Sequence, residues 1–171
     1  DVVYRNYDGY VVQEGLFLQA EYNKDNWAAF VSGSASCTSY WRYDHFYYDA
    51  DHARSETLSF AGGTVKAGAN YNINNHNNIF VNVGYISRAP KFNYGAFMSQ
   101  TTSNAVNREA KNEQVASAEI GYGFHNEYVN LQVNGYFTEW MDKTMTKSGS
   151  LSDPAQTEYY MNMTGVNARH M

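Results

Sequence analysis

Apolar and polar residues alternate with a period of two along most of the chain, which is the pattern of β-strands with two different faces. The clearest run covers residues 128–140, where Val129, Leu131, Val133 and Phe137 alternate with Asn130, Gln132, Asn134, Tyr136 and Thr138. Just before it, Ala116, Ala118, Ile120, Tyr122 and Phe124 alternate with Ser117, Glu119, Gly121 and Gly123, and only residues 125–127 separate the two runs. They predict a hairpin. Upstream, Leu16, Leu18, Ala20 and Tyr22 alternate with Phe17, Gln19 and Glu21, turn at 23–26 and return through 27–42. A third hairpin joins 56–71 to 78–88 across the Asn-rich turn 72–77, with Val65, Ala67, Ala69 and Tyr71 matched to Ile79, Val81, Val83 and Tyr85. A seventh strand is predicted from Glu158 into the last residue, Met171.

The predicted connections run short (23–26), long (43–55), short (72–77), long (89–112), short (125–127) and long (143–157). Both prolines, Pro90 and Pro154, fall in long connections, where they break no sheet ladder. Consecutive antiparallel strands put alternate connections at opposite ends, so tight turns gather at one end and long loops at the other. Outer-membrane barrels have that asymmetry. A soluble sandwich also alternates, but it turns its apolar face to a dry core, whereas a large barrel turns its polar face to a wet lumen. Alternation alone leaves both open. Tyr22, Trp27, Tyr71, Phe124 and Tyr128 sit beside the short turns, and Tyr40, Trp41, Tyr85 and Trp140 lie toward the loops. Two such rings match the aromatic girdles of a membrane barrel.

Composition narrows the class further. Only 17% of the 171 residues are Asp, Glu, Lys or Arg, while sixteen Tyr, nine Phe and three Trp make 16% aromatic. Mean hydropathy is −0.59, and no apolar run approaches the ~20 residues of a spanning helix. Net charge is −5 without basic clusters, which speaks against nucleic acid as the main partner. A lone Cys37 makes no internal disulfide. Seven strands are odd where single-chain bacterial barrels close with an even number. The chain therefore reads as an internal section of a longer polypeptide. Two alternatives stand beside it: a non-transporting β-sandwich or adhesin-like small barrel, and a closed barrel whose eighth strand comes from residues 2–7.

Four stretches carry a resemblance: Phe80-Val81-Asn82-Val83-Gly84-Tyr85-Ile86-Ser87-Arg88-Ala89-Pro90-Lys91-Phe92, Asn112-Glu113-Gln114-Val115-Ala116-Ser117-Ala118-Glu119-Ile120-Gly121-Tyr122, Asn134-Gly135-Tyr136-Phe137-Thr138-Glu139-Trp140, and Asn162 to His170. In this order they resemble the barrel of TonB-dependent outer-membrane receptors, especially those of Bacteroidetes-like bacteria. The likeness covers about residues 14–171. It implies an all-β, antiparallel, up-and-down transmembrane barrel segment, about seven strands of a 22-stranded barrel in the cell outer membrane. It further implies uptake of a scarce nutrient, such as a siderophore or other metal chelate, cobalamin or an oligosaccharide. Energy would come from TonB through a plug that this sequence does not contain. A surface lipoprotein is a further implied partner, and no cofactor is implied.

Candidate chemistry concentrates in the predicted loops. Residues 43–52 carry Asp44, Asp49 and Asp51, hard oxygen ligands of the kind Ca²⁺ takes, with His45 and His52 nearby. The spacing fits neither a calcium loop nor a close His pair, so an ordinary solvated loop is the expectation and no metal site is assigned. The second loop offers Arg88, Lys91, Phe92 and Tyr94, with Asn93, Phe97 and Met98. Cations beside aromatic faces suit anionic chelates, and aromatic faces beside amides suit sugars. Alternatively, Arg88 and Pro90 only anchor the loop as it leaves the strand. Trp41 and Trp140 complete the candidate ligand-binding set. Glu119 is expected on the polar side and Glu139 near the loop end, with nothing pairing them for acid–base work. No GxSxG, P-loop, HExxH or dinucleotide fingerprint is present, so no catalytic residue is expected.

Overall fold

A computed structural model describes residues 5–98, 104–150 and 158–171, and of 146–150 and 158–166 the backbone alone. The strands are β1 (Tyr7–Lys24), β2 (Trp27–Asp44), β3 (Leu58–Asn74), β4 (Asn77–Arg88), β5 (Glu113–His125), β6 (Asn130–Ser150) and β7 (Glu158–His170). They form one sheet in chain order, and every neighbouring pair is antiparallel. This is the expected all-β, up-and-down architecture. Most strands exceed the ~9–11 residues needed to cross a bilayer at a tilt. Their surplus length extends past a membrane thickness.

The short turns follow from local chemistry. Asp25 and Asn26 link β1 to β2, with Asp25 in the left-handed region at φ 51°, a conformation short polar side chains tolerate. Between β5 and β6, Asn126 Oδ1 accepts hydrogen bonds from Tyr128 N (2.9 Å) and Val129 N (2.8 Å), closing the turn without a glycine.

Register separates the faces. Tyr22, Ala29, Ala69, Val81, Ile120 and Gly135 stand side by side across β1 to β6. One residue along, Glu21, Phe30, Gly68, Asn82, Glu119 and Tyr136 form the adjacent row, pointing the other way. Among the described residues no second layer covers the apolar face. Ile79, Val81, Val129, Leu131 and Val133 are between 44% and 59% exposed. Trp27 packs on Tyr71 at 4.7 Å near the short-turn end, and Tyr10 stacks on Trp41 at 5.2 Å near the loop end. A sheet with an unsealed apolar face bordered by aromatics is built for a nonaqueous neighbour.

The buried cluster lies elsewhere, over the loop end of the polar face. Tyr40, Ala96 and Phe97 are buried there, with Leu58, Phe60, Ala89, Phe92 and Val106 packed against them.

Several expectations change. Tyr40 and Trp140 do not join the outer aromatic ring: Tyr40 pairs with Val11 and Leu58, and Trp140 with Val115, on the polar face. Their parity puts them opposite Trp41 and Phe137. β1 begins at Tyr7 rather than near Leu16, because Tyr10, Val12 and Glu14 continue the row of Leu16 while Gly9 and Gly15 obscure the alternation. Tyr7 thus belongs to β1 and supplies no separate eighth strand; residues 2–4 lie outside the described residues. β6 runs on to Ser150, beyond the end that alternation marks near residue 140, where register shifts after Trp140 disrupt the period. Of the expected last loop, residues 151–157 lie outside the described residues.

Candidate functional site

The site grows from the loop end of the polar face. β4 ends at Arg88, directly opposite Glu113, the first residue of β5. Arg88 donates from Nε (3.1 Å) and Nη2 (2.8 Å) to Glu113 Oε2, and the backbone N–H of Thr144 donates to Glu113 Oε1 at 3.2 Å. The Glu113 side chain is 2% exposed, whereas that of Arg88 is 55% exposed. A carboxylate this buried is retained only where several donors replace its water. The Arg88 guanidinium carbon also lies 5.6 Å from the Trp140 ring centroid.

Lys143 Nζ lies 4.7 Å from the same centroid. An unbroken strand would send Lys143 to the apolar face with Met141. The register shift between Trp140 and Lys143, with Asp142 left-handed at φ 52°, reverses that parity. A bulge of this kind re-aims a side chain. The Asp142 carboxylate turns instead toward Gln114, whose Nε2 stands 3.5 Å from Oδ2.

The second long loop folds inward over β2 and β3. Ala96 N donates to Lys91 O (2.8 Å) and Phe97 N to Phe92 O (3.1 Å), closing a tight turn. Tyr94 sits in it at φ 65°, and at Gly95 a side chain would overlap the Lys91 carbonyl. Tyr40 donates its hydroxyl to Pro90 O at 3.0 Å. Arg42, 1% exposed, places its guanidinium carbon 4.2 Å from the Phe97 centroid, 4.6 Å from Tyr7 and 5.3 Å from Phe92, and Nη2 reaches Asn93 Oδ1 at 2.5 Å. The two long loops are tied together: Asn104 Nδ2 donates to Ala53 O (2.8 Å), and Arg108 meets Glu56 at 2.8 Å.

The expected ligand residues therefore divide. Arg88 and Trp140 come together. Lys91 is exposed on the folded loop and Tyr94 half-buried within it, while Phe92 is committed to packing edge-on against Tyr40 at 5.4 Å. Trp41 lies on the opposite face, stacked on Tyr10 with Arg54 5.7 Å away. Arg42, Glu113 and Lys143 carry weight that the sequence reading did not assign them.

The acidic loop uses its side chains internally. Asp44 Oδ1 accepts from the backbone of Phe46 (2.8 Å), Tyr47 (2.5 Å) and Tyr48 (3.3 Å); His45 pairs with Asp8 at 2.9 Å and His52 with Asp49 at 2.6 Å. The His52 hydrogen bond holds the Asp49 carboxyl below its ordinary range. Among the described residues no group of three His, Cys, Asp or Glu is placed to hold a metal ion.

Farther down the polar face, Glu119 accepts from Asn82 (3.2 Å) and Asn134 (2.5 Å), and Asn78 donates to Asn70 at 2.6 Å. A recess of about 450 Å³ opens there, with Phe30 and Phe80 set among Gln19, Glu21, Asn70 and Asn82. Glu139 lies on the other face, bound to Arg169 at 3.0 Å. The two carboxylates do not meet.

In comparison with known families, residues 2–168 match the family described as TonB dependent receptor-like, beta-barrel. No curated protein and no solved structure matches the chain.

Proposed function

The chain belongs to the TonB-dependent receptor β-barrel family, and we propose that it forms part of the wall and outer mouth of an energy-coupled nutrient importer. Members of this family are outer-membrane receptors and transporters rather than enzymes. In this reading residues 1–171 are a section of a larger barrel, 22-stranded by likeness to the family, and a plug elsewhere in the polypeptide contacts TonB. The solute is a siderophore or other metal chelate, cobalamin or an oligosaccharide, and a surface lipoprotein assists its capture. Arg88, Trp140, Lys91 and Tyr94 meet the solute at the mouth. Phe92 holds the loop in place, and Trp41 anchors the outer surface at the lipid headgroups.

One observation carries the reading. The apolar residues of the strands stay exposed, aromatics border them at both ends, and the polar residues share the opposite face. Lipid against one face and water against the other satisfies both. Transport then needs no bond-making residue: solute binds at the mouth, the plug moves, and the amide-rich wall offers a wet passage.

The test is fractionation of cells producing the complete polypeptide, followed by uptake measurements. The expected result is an outer-membrane protein released only by detergent, with nutrient accumulation that stops when the proton-motive force is collapsed. Recovery as a detergent-free aqueous monomer contradicts the reading, and membrane residence without uptake assigns the barrel to binding alone.

A further inference from the structure

We propose that Lys143 and Arg88, gathered on the indole of Trp140, form a subsite for an anionic group of the solute, a carboxylate or a phosphate. The proposal deepens the reading above and rests on it, since it requires the polar face to line a watery passage.

By strand parity Lys143 belongs on the apolar face, and the bulge at Asp142 brings it across to Trp140. Asp142 tolerates the left-handed conformation as a short polar residue does, and a bulge built on it re-aims the side chain that follows. What the bulge achieves here is a second cation on an indole that already has one, at 4.7 Å and 5.6 Å from its centroid.

Arg88 is matched by the buried Glu113, whose other oxygen takes the Thr144 N–H. Glu113 therefore has little left to offer Lys143. Among the described residues Lys143 has no carboxylate partner, and Asp142 beside it faces Gln114. On the polar face two cations converge on one ring, and among the described residues Glu113 is the one carboxylate in contact with either, since Asp142 turns to the other face. An incoming anion would complete this site through charge-assisted hydrogen bonds. The indole adds a flat apolar contact for the rest of the solute. Glu113 is thus a positioning residue, fixing Arg88 and the backbone at Thr144.

The test uses the complete receptor polypeptide in nanodiscs of zwitterionic lipid, titrated with citrate, with inorganic phosphate and with maltose while tryptophan fluorescence and binding heat are recorded. Citrate is expected to bind in a salt-sensitive manner and phosphate more weakly, with maltose giving no such signal. Lys143→Gln is expected to weaken citrate at least tenfold, Lys143→Arg to stay within about threefold, and Trp140→Phe to remove the fluorescence change. Citrate binding unaltered in Lys143→Gln overturns the proposal. So does absence of citrate binding together with a lower melting temperature for that variant, which would place a carboxylate of the same polypeptide on Lys143. A Lys143-dependent signal that appears only when phosphatidylglycerol is added assigns the anion to lipid and overturns a solute subsite. An outer-membrane receptor that fails these titrations loses the subsite alone, whereas an aqueous protein loses the importer reading itself.

Discussion

The guanidinium carbon of Arg42, on β2, lies 4.2 Å from the ring centroid of Phe97, in the second long loop. Phe97 is fully buried, and its neighbours Phe92 and Tyr7 flank the same cation. A loop that would otherwise sweep through water is therefore fastened to the sheet by a buried aromatic and cation–π cluster.

Removing the ring should release the loop while sparing the sheet. Phe97→Ala is expected to cost about 3–5 kcal/mol of docking, as for other buried aromatic truncations. In hydrogen exchange, the amides of Ala96 and Phe97, bonded to Lys91 and Phe92, should lose protection while β3 and β4 keep theirs. Unchanged protection at Ala96 and Phe97 would show that the cluster does not hold the loop.

The outer end of the Phe80 ring lies over Gly121 on the polar face, so a side chain at that glycine would overlap it. Gly121→Ala should destabilise the refolded barrel by about 1–3 kcal/mol, the usual penalty of overpacking. Phe80→Ala in the same background should recover most of that loss, because the clash has one identified source. Equal losses with and without Phe80 would move the cause to the backbone.

Asp49 and His52 share a hydrogen bond in the first long loop, 2.6 Å from Nδ1 to Oδ1. This lowers the carboxyl's midpoint, so any ordering it gives the loop is present above the ordinary carboxylate range and is lost as pH falls through the depressed value. His52→Ala should raise the Asp49 midpoint toward its usual position, read from the side-chain carboxyl resonance. A midpoint unmoved by that substitution would remove His52 as the cause.

Much of this architecture is legible in period-two alternation. The rows through Val81 and Ile120, and through Asn82 and Glu119, follow from counting odd and even positions, and Asn- and Asp-rich turns mark the hairpins. Tyr40 and Trp140 were readable by the same parity, yet their aromatic character suggests the outer girdle. Lys143 was not readable, because a bulge inverts the count where the chain shows only Met141-Asp142-Lys143-Thr144. Nor was the Arg42 cluster, since it depends on how a loop distant in sequence folds back. The acidic loop shows the converse problem: ligand-type residues can be consumed by backbone N–H groups, as Asp44 is.

The central claim is that the apolar face meets acyl chains and the polar face meets water. A nitroxide scan of positions 79–84, in a Cys37→Ala background of the complete receptor in bilayers, measures this directly. Labels at 79, 81 and 83 should collide with dissolved oxygen, and those at 80, 82 and 84 with a water-soluble nickel chelate. Loss of that two-residue alternation, or its reversal, would contradict the account.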